Sequence, residues 1–162
     1  MDIDLGFIKD KYFHESLQEY LEKLFTIKKQ IKGIILFGSL ARGIETNDSE
    51  KISDIDILVI FKDNELPKNH RKRTDEEIEL MGLTLLGFDS IWITEKEFQG
   101  LIKNKSSFIM SILKEGIILY DPKNVISKAR KRLAEELKAK GVIEKEGYWI
   151  WPIKHFGEKI DW

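Results

Sequence analysis

The sequence predicts a single domain of the α/β (α+β) class, in which a mixed central β-sheet is flanked by helices. Two apolar runs of strand length, Ile34 to Phe37 and Asp54 to Phe61, lie among amphipathic stretches of helical period. At 162 residues, of which 42% are hydrophobic and 34% charged, the chain can bury one ordinary core. We divide it into an N-terminal helix packing on the core (1–30), the core (31–122), and a basic helix with an aromatic tail in the same domain (123–162).

The composition excludes several kinds of protein. The 27 Lys and Arg residues are balanced by 28 Asp and Glu residues, which gives no general attraction to nucleic acid. The absence of cysteine excludes disulfides, thiolate zinc sites and cysteine nucleophiles. No apolar run is long enough to span a bilayer, and the N-terminus MDIDLGF lacks a signal-peptide pattern. We therefore expect a cytoplasmic protein that makes no membrane contact.

Helices are predicted before and after the two strands. Residues 7–30 carry apolar side chains at spacings of three and four, which is typical of an amphipathic helix. A second helix is expected from Leu66-Pro67 to Met81, because proline favours the first helical turn. The basic cluster at residues 70–73 is interpreted as a solvated face, with a contact to phosphates or to an acidic acceptor as the alternative.

A third strand is predicted from Leu83 to Ile93, and it carries Asp89 within an otherwise apolar run. A charged side chain in such a run needs a partner or a metal ion. Thr94 and Glu97 have the spacing of a capping box, which predicts that a helix begins there and that Glu97 is structural rather than catalytic. A short helix and a buried strand from Ile117 to Tyr120 complete the predicted core.

The C-terminal part is predicted to begin with a basic amphipathic helix from Asn124 to Lys140. Its cations are interpreted as a solvent-facing surface, which an acidic partner could also use. Two interpretations of the following tail stay open: an edge strand that covers the core, or the anchor of a homo-oligomer or hetero-complex, since aromatic residues are enriched at interfaces. The aromatic residues concerned are Tyr148, Trp149, Trp151, Phe156 and Trp162.

Polar groups at the end of the first strand favour an anion. Gly38-Ser39 ends this strand, and residues 40–42 can begin a helical turn whose free N–H groups favour negative charge. Gly38 has no Cβ, so the backbone can approach a phosphate closely. Arg42 can clamp a phosphate oxygen with its forked guanidinium.

Two carboxylates on the second strand indicate a divalent cation. Asp54 and Asp56 share one face of the strand, because side chains alternate along it. Carboxylates held side by side repel each other and lose solvation, and a cation between them relieves both costs. Oxygen ligands suit Mg²⁺ or Mn²⁺, which also bind substrate phosphates. A phosphate cradle beside such a pair predicts nucleotide chemistry.

The ordered pattern of an apolar strand, Gly38-Ser39, a loop and Asp54-Ile55-Asp56 resembles the polymerase β nucleotidyltransferase superfamily. The GSLARG form is similar to its small prokaryotic branch, the minimal nucleotidyltransferases. The resemblance covers Ile31 to Pro122 and implies a polymerase β-like nucleotidyltransferase fold. One departure is the loop at residues 43–53, in which SEKI is inserted after Asp48, and we expect this loop to lie on the surface.

The resemblance also implies roles for individual residues. Asp54, Asp56 and Asp89 would be catalytic and would hold Mg²⁺ or Mn²⁺, with Asp89 as the third carboxylate of the family. The nucleotide-binding residues would be Gly38, Ser39 and Arg42. The implied reaction moves an NMP group, expected to be AMP from ATP, to a hydroxyl acceptor and releases pyrophosphate.

Two functions stay open from the sequence. The first is an active nucleotidyltransferase whose acceptor is another protein, since small members of this branch often pair as antitoxins with a helical HEPN-type toxin and add AMP to a tyrosine of it. The second is a non-catalytic antitoxin or regulatory subunit that blocks a HEPN-type partner by contact and keeps a vestigial nucleotide site. The intact carboxylates favour the active enzyme, whereas the long loop and the aromatic tail are compatible with the non-catalytic binding subunit.

Overall fold

A four-stranded mixed sheet forms the centre of the computed structural model, which describes residues 3–45, 47, 52–82, 87–145, 147–153, 155 and 157. Its strands are β1 (Ile31–Phe37), β2 (Ile55–Phe61), β3 (Phe88–Thr94) and β4 (Ile117–Tyr120). They lie in the order β3-β2-β1-β4, with β1 antiparallel to β2 and β4, and β2 parallel to β3. The predicted fold class is confirmed.

Helices cover both faces of this sheet. Ile34, Leu36 and Val59 point to the face that packs on the first helix, and Ile35 and Leu58 point to the face that packs on the helices following β3. Strands buried on both faces must be apolar at nearly every position, which explains their continuous apolar runs. The helices in the described part of the chain are α1 (Lys11–Ile27), α2 (Gly38–Arg42), α3 (His70–Met81), α4 (Glu95–Lys103), α5 (Ser107–Glu115) and α6 (Val125–Ala139).

Several predicted boundaries were wrong for local reasons. The first helix spans Lys11–Ile27 rather than 7–30, because the Asp10 carboxylate caps the N–H groups of its first turn. Helix α3 begins at His70 rather than at Leu66-Pro67, because Asn69 accepts hydrogen bonds from the two N–H groups that follow His70. Strand β3 begins at Phe88, and residues 83–86 of the strand predicted there lie outside the described residues.

Arg73 corrects the prediction that the basic cluster at residues 70–73 is a solvated face. Its side chain is buried, and its guanidinium donates two hydrogen bonds to the Glu97 carboxylate, at 3.0 and 3.2 Å. It also donates to the carbonyl oxygens of Trp92 and Pro67. The capping box of Thr94 and Glu97 is confirmed, so Glu97 is structural as predicted.

Within the described residues, the aromatic tail pairs with no strand of the central sheet, which differs from the interpretation of an edge strand. It forms a separate hairpin of β5 (Ile143–Lys145) and β6 (Tyr148–Ile150). Trp149 packs against the α4–α6 side of the core and donates from Nε1 to the Ser111 hydroxyl at 3.4 Å. Phe156 and Trp162 lie outside the described residues. Among the helices of the described residues, none is both long and apolar enough to cross a bilayer.

Candidate active site

Two carboxylates predicted for the site lie directly beside each other on neighbouring strands. In the parallel pairing of β2 with β3, Asp56 is opposite Asp89. Asp54 precedes Asp56 by two positions and therefore lies on the same side of the sheet. Phe37, the last residue of β1, is opposite Asp56 on the other neighbouring strand. The structure thus brings all three predicted carboxylates to one corner of the sheet, on the face covered by α4, α5 and α6.

Gly38 lies against the carboxylate of Asp56. Its φ of +72° belongs to the left-handed region, which favours glycine. A Cβ built on Gly38 would lie 1.8 Å from Oδ2 of Asp56, closer than any real contact. The backbone that follows β1 therefore approaches the carboxylate in a way that no residue with a side chain permits.

Gly87 makes the same kind of contact with Asp54. A Cβ on Gly87 would lie 2.3 Å from Oδ1 of Asp54, and the Gly87 carbonyl accepts the N–H of Ile55 at 3.0 Å. Sequence reasoning missed Gly87. The available signal was a glycine immediately before a predicted strand, which indicates close approach of another group.

The three carboxylates act on one another electrostatically. Burial raises the pKa of Asp56 above its ordinary value, and the negative charges of Asp89 and Asp54 raise it further. The positive charge of Arg42 opposes this rise in pKa. Asp56 is half-buried, whereas Asp54 and Asp89 are exposed, so the cluster opens to solvent on one side.

The short helix α2 begins at Gly38, immediately beside the carboxylates. Phe37 precedes it and provides no side-chain cap, so the first N–H groups have no intrahelical acceptor. Ser39 is half-buried at this point. Arg42 ends the helix and is exposed, and its Nη1 lies 3.7 Å from Oε2 of Glu115 on α5. Sequence reasoning missed Glu115, because nothing in the sequence pairs α2 with α5.

The donor set fits a hard divalent cation. Asp54, Asp56 and Asp89 offer only carboxylate oxygens, the ligands that Mg²⁺ and Mn²⁺ prefer. Within the described part of the chain, no group of three or more acidic or histidine side chains is already gathered tightly enough to hold a metal ion. Mutual repulsion of three carboxylates is a physical reason for such spacing, and it is the interaction that a bound cation reverses.

Side chains from α1 and α3 hold the strand that carries Asp89. The hydroxyl groups of Tyr20 and Ser90 share a hydrogen bond of 2.6 Å, and Trp92 donates from Nε1 to the Tyr20 oxygen at 3.2 Å. On the outer edge of β3, Glu77 accepts the backbone N–H of Trp92 at 3.0 Å. Arg73 and Glu77 therefore take the positions that a further strand would occupy, which closes this edge.

Glu77 has an unusual protonation equilibrium. The pKa of its carboxyl is raised to about 7, mainly by burial. The hydrogen bond from Trp92 and the positive charge of Arg73 oppose this rise in pKa, whereas the negative charge of Asp89 adds to it. Glu77 lies on α3 and was not predicted as part of the site. Its relation to Asp89 depends on how α3 packs on β3, and no local sequence pattern reports that packing.

The loop at residues 43–53 is described only in part. Gly43 ends α2 with φ of +66°, and the N–H of Ile44 donates to the Ser39 carbonyl at 3.1 Å. Asn47 forms an isolated bridge with Ile52. The first three residues of the SEKI insertion, 49–51, lie outside the described residues.

A comparison with protein families identifies the family of the chain. The family model described as "Polymerase beta, Nucleotidyltransferase" matches residues 15–124, which is more than half of the 162 residues. The match includes β1, α2, β2 and β3, and with them every residue predicted for the site. A search of curated proteins gave no match.

Solved structures with a similar fold include several toxin–antitoxin pairs. A mutant of the MntA-HpeT toxin-antitoxin has a TM-score of 0.52 at 16% identity, over 76% of this chain and 86% of that chain. A toxin-antitoxin with AMP-PNP has a TM-score of 0.48 at 14% identity, over 75% and 86% of the two chains. A tri-AMPylated Shewanella oneidensis HEPN toxin in complex with MNT antitoxin has a TM-score of 0.48 at 14% identity, over 76% and 87%. From the first of these we take the fold alone.

Proposed function

The chain belongs to the polymerase β nucleotidyltransferase family, and from this premise we propose that it moves a nucleoside monophosphate from a nucleoside triphosphate, with ATP as the expected donor, to an acceptor hydroxyl. The acceptor oxygen bonds to the α-phosphorus, the bond from that phosphorus to the bridging oxygen breaks, and pyrophosphate leaves. The hydroxyl proton passes to a carboxylate, for which we propose Asp89. The observation that carries the proposal is the contact of Asp56 with Gly38 on one side and its pairing with Asp89 on the other.

Each residue of the site has a proposed task in this reaction. Gly38 and Ser39 would present backbone N–H groups to the triphosphate, and Arg42 would bind a phosphate oxygen. Asp54, Asp56 and Asp89 would hold Mg²⁺ or Mn²⁺, which supplies charge neutralisation and lowers the pKa of the acceptor hydroxyl. The close approach of Gly38 to Asp56 would keep the phosphate cradle beside the carboxylates.

We further propose that the acceptor hydroxyl belongs to a tyrosine of a HEPN-type helical protein. The resemblance of GSLARG and Asp54-Ile55-Asp56 to minimal nucleotidyltransferases supports this partner. The likeness of the fold to a chain of the MntA-HpeT toxin-antitoxin agrees with it. In this arrangement the chain is the antitoxin and modifies the toxin covalently.

A labelled-ATP transfer assay tests the proposal. The chain is incubated with Mg²⁺, ATP labelled at the α-phosphate and a candidate HEPN-type partner protein, and the label is followed on that protein. We expect transfer by the parent and by the control Asp75→Asn, whose carboxylate is exposed on α3, and no transfer by Asp56→Asn. Equal transfer by Asp56→Asn would contradict the assignment of the site.

A second candidate function is a binding subunit that blocks its partner without catalysis. The observation that favours it is that the three carboxylates are not gathered for a metal ion in the described residues. Titration calorimetry with ATP and Mg²⁺ separates the two functions. Binding of Mg²⁺ and ATP that Asp56→Asn abolishes supports the enzyme, whereas partner binding without any nucleotide binding supports the second function.

We also propose that the β5–β6 hairpin mediates a homo-oligomer. Ile143, Tyr148 and Ile150 are 57%, 75% and 44% exposed, and a two-stranded sheet with such a surface is marginal without a partner. Light scattering of the parent and of Tyr148→Ser tests the proposal. A parent that is monomeric at all concentrations would contradict it.

A further inference from the structure

A basic pocket lies on the α4–α6 side of the molecule. It has a volume of about 430 Å³, and four cations line it: Lys32, Lys123, Lys128 and Arg132. Of the described residues in its lining, one is a carboxylate, Glu95, and one is a side-chain amide, Gln99. We call it the basic pocket.

The basic pocket is separate from the carboxylate corner. Lys32 lies at the beginning of β1, next to Ile31, which is opposite Phe61 at the end of β2. Phe37, opposite Asp56, lies at the other end of β1. Five residues of strand separate Lys32 from Phe37, or about 17 Å at 3.3 Å per residue. A ligand in the basic pocket therefore does not contact the proposed active site.

Two backbone features bring these cations together. The β1–β2 pairing shifts between Ile31 and Gly33, so Lys32 is the additional residue of a β-bulge, a feature that redirects a side chain. At Gly33 a Cβ would lie 2.4 Å from Cδ1 of Ile126, so the Ile126 side chain of α6 packs directly against the glycine backbone of the strand. This packing places Lys128 of α6 beside Lys32 in the lining of the pocket.

The charges in the basic pocket are not neutralised within the described residues. No carboxylate oxygen of the described residues lies within 4 Å of the side-chain nitrogen of Lys32, Lys123 or Lys128. Arg132 donates from Nη2 to the neutral amide oxygen of Gln99 at 3.0 Å, which orients the guanidinium, and its charge also helps to lower the pKa of Glu136 on the same helix. This excess occurs in a chain whose net charge is −1, so it is a local property of the pocket.

The lining selects a class of anion. Among the described residues that line the pocket there is no aromatic side chain on which a nucleobase could stack, and single-stranded nucleic acid commonly needs one. Lysine binds phosphate as a point charge and arginine binds it with a forked geometry, and both occur here. A volume of about 430 Å³ admits a few phosphate groups.

We propose that the basic pocket binds an oligophosphate, such as an inorganic triphosphate or the triphosphate group of a nucleotide. The recognition depends on the phosphates, so both sources bind with similar affinity. This site is independent of the proposed function, because it uses neither the carboxylates nor the α2 turn.

Titration calorimetry with inorganic tripolyphosphate, at low salt and with EDTA present, tests the proposal. We expect the double variant Lys128→Gln/Arg132→Gln to bind at least ten-fold more weakly than the parent. The matched control is Lys131→Gln/Lys138→Gln, which removes the same charge from exposed positions of the same helix and should bind within two-fold of the parent. Binding should also weaken as salt is added, since exposed charges are screened.

Further measurements separate the alternatives. Arg42→Gln should bind tripolyphosphate with the affinity of the parent, and a ten-fold loss would place the anion at the active site and overturn the proposal. ATP should bind the parent in EDTA as tightly as tripolyphosphate does. No binding to the parent, equal losses in the double variant and its control, or tighter binding of poly-glutamate or oligouridylate would each overturn the proposal. The last result would assign the pocket to an acidic protein segment or to RNA.

Discussion

Oδ2 of Asp56 lies 1.8 Å from the position that a Cβ on Gly38 would take. Gly38→Ala therefore combines a strained φ with a direct clash, and we expect it to lower the free energy of unfolding by about 2 to 4 kcal/mol. We also expect loss of nucleotide binding, because relief of the clash moves the phosphate cradle away from Asp56. Urea denaturation and calorimetry with ATP and Mg²⁺ measure the two effects.

Gly43→Ala is the matched control for this change. Gly43 has a φ of +66°, close to the +72° of Gly38, but no atom of the described residues lies within 4 Å of a Cβ built on it. The control therefore has the backbone strain without the clash and should cost about 1 kcal/mol. Equal losses of stability and of binding in both variants would show that the contact with Asp56 has no effect of its own.

The repulsion among carboxylates predicts that Asp56→Asn is more stable than the parent in the absence of metal. Burial and the charges of Asp89 and Asp54 raise the pKa of Asp56, so the ionised form is disfavoured in the fold at neutral pH. Removing this charge should raise the melting temperature by about 1 to 3 °C, whereas the exposed control Asp75→Asn should leave it unchanged. Thermal unfolding at pH 7.5 in EDTA measures the difference.

Binding of Mg²⁺ and ATP should make the parent more stable than Asp56→Asn, which reverses the order expected without metal. Mg²⁺ and ATP at about 100-fold above the dissociation constant should stabilise the parent and Asp75→Asn by about 2.7 kcal/mol. Asp56→Asn should gain far less, because it lacks the carboxylate that would hold the metal. Equal gains for all three proteins would count against the assigned site.

The sequence predicted the parts of the site that depend on local patterns. Gly38 directly follows the apolar run of β1, and Asp54 and Asp56 lie at the beginning of the run of β2, where residues two positions apart face the same side. Asp89 required one further step, the resemblance to the family, because its position opposite Asp56 depends on a parallel register that periodicity does not reveal. The family match is confirmed, whereas the catalytic and metal-binding roles stay predictions.

Contacts between distant segments could not be predicted in this way. Gly87 on Asp54 and Glu115 beside Arg42 depend on how helices and loops pack after the strands have formed. The burial of Arg73 is a similar case. Its neighbours in the sequence are polar, and acceptors from distant segments, above all Glu97 in the first turn of α4, stabilise the buried guanidinium. The predicted start of α3 at Leu66-Pro67 was wrong because Asn69 caps the helix further along the chain.

Glu77 should make the stability of the fold depend on pH. Its folded-state pKa is raised from 4.5 to about 7 by burial, so the fold favours the protonated form. Its contribution is therefore most favourable below pH 4.5 and is lost as the pH rises towards 7. Glu77→Gln keeps an acceptor for the Trp92 N–H and removes the titration. Since the side chain is half exposed, we expect this variant to be more stable than the parent by about 1 kcal/mol at pH 8.

The difference between Glu77→Gln and the parent should become small near pH 4.5. Glu79→Gln, on the exposed face of the same helix, is the control and should follow the parent at every pH. Urea denaturation from pH 4.5 to 8 gives the profile. A difference between Glu77→Gln and the parent that does not change with pH would contradict the assignment of this titration to Glu77.

Arg73 links α3 and α4 to the edge of β3, and its removal should weaken the strand that carries Asp89. Arg73→Ala removes two hydrogen bonds from the half-buried Glu97 carboxylate, which keeps the Thr94 N–H as a donor. It also removes the arginine donor from the buried Trp92 carbonyl. Breaking a buried pair in this way costs about 3 kcal/mol, and for a chain of this size the melting temperature should fall by about 6 to 12 °C. Arg73→Lys should recover only part of this loss, because an ammonium cannot make the two parallel hydrogen bonds to Glu97.

The control for Arg73→Ala is Arg71→Ala, which removes an exposed guanidinium from the first turn of the same helix. Arg71→Ala should change the melting temperature by less than about 2 °C. Because Arg73 holds the Trp92 carbonyl three positions from Asp89, Arg73→Ala should also weaken binding of ATP with Mg²⁺ at a temperature where the variant is still folded. Full recovery of stability by Arg73→Lys would show that the charge alone matters, and the forked geometry at the β3 edge would then have no role in holding Asp89.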